Sequence, residues 1–165
     1  HPRITALVAD LLRSPELAIS QSFDPIGVQA CGAVKNVIAI GLGIASAASG
    51  SQNTVAYLLT RGLGEMAKLS SAVGGVRATA YGVAGIGDLV VSSVGGQARN
   101  FKLGQLIGQG QSLTQAAASF SSPPEGVATT RSINLLCEQY GLDLPLCQKV
   151  YQILYGQAAC NILWT

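Results

Sequence analysis

Apolar residues recur with the period of a helix along most of this chain. In residues 1–15, Ile4, Leu7, Val8, Leu11 and Leu12 fall on one side of a short amphipathic helix. Residues 16–20 (Glu-Leu-Ala-Ile-Ser) fit a brief strand, and Asp24-Pro25 then breaks the pattern and opens a long helix over about 26–45. A second long helix is expected over 52–73. Val55, Leu58, Leu59, Gly62, Met66 and Leu69 form its buried stripe, while Arg61, Glu65 and Lys68 share another face as a solvated charge ladder. Gly74-Gly75 ends it. Shorter helices are expected over 78–82, 87–94, 99–108 and 113–120. Pro123-Pro124 makes a rigid turn, Glu125 opens a helix to about Tyr140, and Pro145 and Gly156 bracket the last one. One weak strand and about eight helices predict an all-α domain.

Composition narrows the class. The 165 residues are enough for one domain with a real core. Charged residues make up 11%, less than half the usual quarter, while 48% are hydrophobic and mean hydropathy is +0.39. Helices of this kind pack through Ala, Gly, Leu, Ile and Val and bury large faces. A net charge of +2 without a Lys/Arg cluster argues against a nucleic-acid partner. The apolar run over 37–48 is too short to span a bilayer and is interrupted by Gly41, Gly43 and Ser46, so no membrane span is expected. Cys31, Cys137, Cys147 and Cys160 form no CxxC pair, and His1 is the only histidine. That leaves no zinc site of the usual spacing and no Ser-His-Asp or Cys-His arrangement. The cysteines are expected to be reduced thiols of a cytoplasmic protein, packed as small hydrophobes. A chain that begins with histidine reads as a fragment, with any upstream domain out of view.

Lys35 stands out against this background. In the run Gly32-Ala33-Val34-Lys35-Asn36-Val37-Ile38-Ala39-Ile40 it has Cys31 and Gly32 one turn before it and Ile38 and Ala39 one turn after. Two readings compete. The stem could lie along the apolar face with the ammonium in water. Alternatively, the side chain lines a cleft, where a desolvated lysine becomes usable as a proton acceptor. Two other stretches concentrate chemistry. Gly82-Val83-Ala84-Gly85-Ile86-Gly87-Asp88 sets a carboxylate at a helix head, either as a simple cap or as an acceptor for ligand hydroxyls. Gly95-Gly96-Gln97-Ala98-Arg99-Asn100 sets a guanidinium and an amide at another helix start, suited to phosphate.

The segment over 37–46 imitates a nucleotide-binding loop. A strand-like run precedes Gly41-Leu42-Gly43-Ile44-Ala45-Ser46, but the third glycine is absent and no acidic strand end follows some twenty residues on. The segment reads as helix.

Taken together, GAVKNVIAIGLG (32–43), NT…LLTRGLGEM (53–66), GVAGIGDLV (82–90), RN (99–100) and EGV (125–127) resemble, in order and spacing, the NAD(P)-dependent sn-glycerol-3-phosphate dehydrogenases of bacterial type. The resemblance runs from about Phe23 to Tyr155. It implies an all-helical substrate-binding domain of the 6-phosphogluconate dehydrogenase C-terminal type over 23–165. Residues 1–22 would be the last helix and strand of a dinucleotide-binding domain whose remainder is absent. It further implies interconversion of glycerol 3-phosphate and dihydroxyacetone phosphate with NAD or NADP, which supplies phospholipid synthesis, in a cytoplasmic homodimer. By the same resemblance, Lys35 is the proton acceptor and Asn36 orients the substrate. Asp88 binds the glycerol part, Arg99 and Asn100 bind substrate, and Arg99 and Glu125 touch the cofactor; no metal is implied. Two positions depart from the family pattern: Ala98 where serine is common, and Pro123 where an apolar residue meets the cofactor. Without the rest of the nucleotide domain the fragment is expected to be silent. Two alternatives stay open on the residues alone: another β-hydroxyacid dehydrogenase helical domain, and a non-catalytic helical dimerisation domain.

Overall fold

In the computed structural model, residues 2–93 and 98–165 are described. Eight α-helices are assigned among them: α1 (Pro2–Leu12), α2 (Pro25–Ser49), α3 (Gln52–Ala72), α4 (Asp88–Val91), α5 (Arg99–Gly108), α6 (Leu113–Ala117), α7 (Glu125–Tyr140) and α8 (Pro145–Gly156). A 3-10 turn (Arg77–Tyr81) and a π turn (Val83–Gly87) connect α3 to α4, and a further 3-10 turn (Cys160–Leu163) follows α8. No strand occurs among the described residues, as an all-α class requires. The strand expected over 16–20 is replaced by a tight turn closed by an isolated bridge between Ser14 and Leu17. Four or five residues with no neighbouring strand have nothing to pair with.

Helix α2 is the axis of the domain. Asp24 caps its start by accepting from Gly27 N at 2.9 Å, and Gly50, in the left-handed conformation at φ 62°, stops it. It is four residues longer at its C-terminal end than the pattern predicted, because Ala45, Ser46, Ala47, Ala48 and Ser49 are tolerated in helix and the first glycine able to end it is Gly50. By length and composition α2 could cross a membrane. Here its apolar surface is covered by protein: α3, α5, α7 and α8 all pack on it, and Val37 through Ala45 are buried without interruption. Burying each of Ile38, Ile40, Leu42 and Ile44 contributes roughly 1.5–3 kcal/mol.

The largest helix contact is with α5, and it is made backbone to backbone. A Cβ on Gly43 would overlap the carbonyl of Phe101, and one on Gly104 would overlap that of Ile40. The nucleotide-loop imitation therefore lies in mid-helix, its glycines serving this close crossing.

Two carboxylates tie distant segments together. Asp24 also accepts from Val76 N at 2.8 Å and Thr79 Oγ1 at 2.5 Å, which anchors the 3-10 turn to the start of α2. Glu65, expected on a solvated ladder, is 4% exposed and accepts from Leu146 N at 2.6 Å and Cys147 N at 3.0 Å. It caps α8, whose own first residues offer no side-chain oxygen. Burial pushes the Glu65 carboxyl up, opposed by these two N–H groups, and pushes the neighbouring Cys147 thiol well up. All four cysteines are free thiols, three buried and Cys160 half-buried. In α1, Ile4, Leu7, Val8, Leu11 and Leu12 are exposed and only Ala9 is buried, so the expected apolar stripe has no partner among the described residues.

Removing Glu65 should be costly. Glu65→Ala leaves two buried N–H groups without acceptors and opens a void, a loss of about 2–4 kcal/mol in chemical denaturation. A loss below about 0.5 kcal/mol, the scale of an ordinary surface change, would contradict its capping role. A second expectation concerns acid. The Thr79 hydroxyl, then the N–H groups of Gly27 and Val76, hold Asp24 below its ordinary value of 3.8. The stability it contributes is present above that value and is lost as pH falls through the lowered one. The melting-temperature gap between wild type and Asp24→Asn should thus be full near neutral pH and close below about pH 3.8. A gap that persists unchanged at lower pH would show that the charge of Asp24 is not what matters.

Candidate functional site

Six side chains singled out in the sequence meet at one edge of α2. Lys35 and Asn36 lie in its N-terminal half, before the stretch that is buried on all sides. The π turn brings in Asp88: Gly85 allows its backbone to lie on the carbonyl of Ala80, where a Cβ could not fit, and α4 then starts at Asp88. Lys35 Nζ and Asp88 Oδ1 are 2.6 Å apart, with side chains 20% and 39% exposed. Lys35 therefore does not run out to water along an apolar face. It sits half-buried against a carboxylate from 53 residues away.

On its other side, Asn36 Oδ1 accepts from Asn100 Nδ2 at 3.0 Å, and Asn36 Nδ2 donates to Gly32 O at 3.3 Å. Asn100 is buried at the start of α5, and its Oδ1 accepts from Gly126 N at 3.0 Å. Next to it, Arg99 is exposed. Its guanidinium donates to the Ser122 carbonyl and hydroxyl, lies 6.0 Å from the Phe120 ring centroid and 3.7 Å from Glu125 Oε1. An ion pair this open to solvent contributes at most about 1 kcal/mol, so a ligand anion can displace it.

Alternating contacts and peptide links thus join Asp88, Lys35, Asn36, Asn100, Arg99 and Glu125 across α4, α2, α5 and α7. The arrangement holds two cations and two carboxylates, each cation paired. Its chemistry suits a small, oxygen-rich anion. The guanidinium can grip two oxygens of a phosphate, the carboxylate can accept from hydroxyls, and the ammonium can exchange a proton with an oxygen between them. Glu125 and Pro123 also line one open groove with Pro124, Val127, Arg131 and Tyr155. No group of three or more His, Cys, Asp or Glu able to hold a metal occurs among the described residues.

Ala98 is the residue before α5 and provides no side-chain cap; a serine there would offer a hydroxyl for that purpose. Gly95, Gly96 and Gln97 of the expected phosphate motif, together with Val94 and His1, lie outside the described residues. Gly126 was not singled out in the sequence beyond the EGV motif. A glycine in the first turn of a helix, where alanine is favoured by about 1 kcal/mol, is the signal that could have marked it.

Comparison with known proteins bears on this geometry. The family described as "NAD-dependent glycerol-3-phosphate dehydrogenase C-terminus" matches residues 24–165. A protein of Trichlorobacter lovleyi named glycerol-3-phosphate dehydrogenase, NAD(P)+, is 45% identical over 143 residues, covering 87% of this chain and 43% of the relative. One of Syntrophomonas wolfei with the same name is 41% identical over 156 residues, covering 94% and 46%. The crystal structure of glycerol-3-phosphate dehydrogenase from Coxiella burnetii superposes with a TM-score of 0.91 at 32% identity, covering 98% of this chain and 50% of that one. The chain thus spans less than half the length of the curated relatives it matches.

Proposed function

The chain belongs to the NAD-dependent glycerol-3-phosphate dehydrogenase family, in its C-terminal part, and from that premise we propose that it forms the substrate-binding and proton-transferring half of such an enzyme. The observation that carries the reading is the contiguous group from Asp88 through Lys35 and Asn100 to Glu125, in which every candidate residue has a defined neighbour.

In this reading Arg99 holds the phosphate of glycerol 3-phosphate or dihydroxyacetone phosphate, exchanging Ser122 and Glu125 for phosphate oxygens. Asp88 accepts from the glycerol hydroxyls, and Asn36 and Asn100 orient the chain of the substrate. Lys35 Nζ takes the proton from the C2 hydroxyl during oxidation and returns it to the carbonyl oxygen during reduction. The bound NAD or NADP supplies or accepts the hydride. Glu125 and Arg99, beside the open groove with Pro123, fit one edge of that cofactor; the helical segment over 41–46 has its N–H groups committed within α2 and fits none of it.

Residues 23–165 form the substrate domain in this proposal, and residues 1–22 belong with the nucleotide domain. The exposed stripe of α1 supports that division, since Ile4, Leu7 and Leu11 are apolar and have nothing to pack on among the described residues. By themselves residues 1–165 offer one wall of a cleft and are expected to be silent. A role in supplying glycerol 3-phosphate for phospholipid synthesis and a cytoplasmic location follow from the family reading. For a homodimer, the support is exposed Leu135 and Tyr140 on α7, beside a groove lined by Ile26, Ile133 and Leu136.

Lys35→Ala in the complete enzyme tests the assignment. Turnover of dihydroxyacetone phosphate should fall by at least about 100-fold, the usual share of a positioned acid–base group. The melting temperature should stay close to wild type, since alanine is the best helix former at that position. Near-normal turnover with an unaltered pH profile would remove Lys35 from the reaction.

A further inference from the structure

From Asp24, at the head of α2, to Lys35 is about three helical turns, so the two residues fall on nearly one face, about 16 Å apart along the axis. One stretch of chain is tied to both. Thr79 Oγ1 donates to Asp24 Oδ2 at 2.5 Å, and Lys35 Nζ donates to Asp88 Oδ1 at 2.6 Å. The residues from Thr79 to Asp88 therefore form a strap laid along α2, and Val28, one turn beyond Asp24, lines one cavity with Thr79, Gly82 and Val83. Drawn out, the strap would reach about 30 Å, nearly twice the distance between its two ties. The 3-10 and π turns take up that slack, with Gly85 N and Gly87 N both donating to Gly82 O.

The tie at Asp24 is closely built. Oδ1 accepts from Gly27 N, and Oδ2 accepts from Val76 N as well as from Thr79. A Cβ on Gly27 would stand 1.8 Å from Asp24 Oδ2, and one on Gly75 would stand 2.7 Å from the Cα of Gly27. Both glycines are needed for the loop and the helix head to come so near. The other end of the strap has little stiffness of its own, because α4 is four residues long and so short a helix does not hold itself. Buried Leu89 keeps α4 on the core, but apolar burial has no direction and does not fix where along α2 the Asp88 carboxylate falls. Hydrogen bonds do, since their lengths and angles are confined.

We propose that Asp24 and Thr79 are positioning residues: by clipping the strap to the head of α2 they set the carboxylate of Asp88 against Lys35. Both act through Asp88 and neither meets the substrate. The clip follows from the geometry alone, while its effect on turnover rests on the function proposed above.

The test uses the full-length protein with Thr79→Val, Thr79→Ser, Asp88→Ala, and Thr79→Val combined with Asp88→Ala. Valine keeps the shape of threonine but cannot donate to Asp24, whereas serine can. Thr79→Ala also lacks the hydroxyl but sets no methyl against the carboxylate, and so covers the case in which Thr79→Val fails to fold. Thr79→Val should lower kcat/KM for dihydroxyacetone phosphate by roughly 10–100-fold, the scale of a misplaced site group, and Thr79→Ser by less than about threefold. In the Asp88→Ala background, adding Thr79→Val should cost less than about threefold, because no carboxylate is left to misplace. Asp24→Asn should show the same loss and the same dependence on Asp88. A full loss in the Asp88→Ala background, or a serine variant as poor as the valine one, would overturn the proposal. Amide hydrogen exchange gives a readout that needs no substrate: Gly85 and Gly87 should exchange faster in Thr79→Val than in wild type, and at the wild-type rate in Thr79→Ser. Equal exchange in all three would remove the clip whatever the reaction is. A wild-type enzyme that leaves dihydroxyacetone phosphate untouched but shows the exchange difference would overturn the substrate assignment and keep the clip.

Discussion

At Gly43 and Gly104 the backbones of α2 and α5 meet with no side chain between them, in the most extensive packing of any two elements, and the layout of the candidate site depends on that contact. Two helices this close are fixed in register, since sliding by one residue would drive a Cβ into a carbonyl. The register sets Asn100, near the start of α5, beside Asn36 on α2. The same close approach lies within the stretch buried from Val37 to Ala45, which leaves a margin for functional side chains just before Val37. That is where Lys35 and Asn36 stand.

A buried helix that carries a lysine at its margin must find a partner for it, because an isolated ammonium out of water is costly. Asp88 meets that need at 2.6 Å, and it reaches Lys35 through a backbone that is irregular on both sides of Gly82. On the far side, Arg99 and Glu125 are paired in the open, where the interaction is weak and exchangeable. The site therefore combines a half-buried, closely held ion pair with an exposed and exchangeable one. Such a division suits a small phosphorylated substrate that must arrive, react and leave.

Much of this was legible in the sequence, and the exceptions share a cause. Helix order followed from periodicity, and α5, α7 and α8 have the bounds that the Gly, Pro and Arg signals predicted. Lys35, Asp88 and Arg99 stood out because charged side chains are scarce in a chain with 11% charge, whereas Glu125 and the role of each residue came from the family resemblance. The sequence placed Glu65 on a solvated face because periodicity sees neighbours within a helix, whereas its partners are the N–H groups of Leu146 and Cys147, more than 80 residues away. The pairings of Lys35 with Asp88 and of Asn100 with Asn36 and Gly126 are long-range for the same reason. The expected strand over 16–20 failed differently: its composition allows a strand, but no other segment among the described residues supplies an edge to pair with.

The central claim is that one edge of α2 binds the substrate oxygen at which the proton is exchanged. A crystal structure of the full-length enzyme with dihydroxyacetone phosphate and oxidised cofactor, an unreactive pair, measures it directly. Lys35 Nζ should lie about 2.6–3.2 Å from the carbonyl oxygen on C2, with the phosphate on Arg99 in place of Ser122 and Glu125. A substrate seated elsewhere, with Arg99 still on Ser122 and no ligand oxygen near Lys35, would contradict the account.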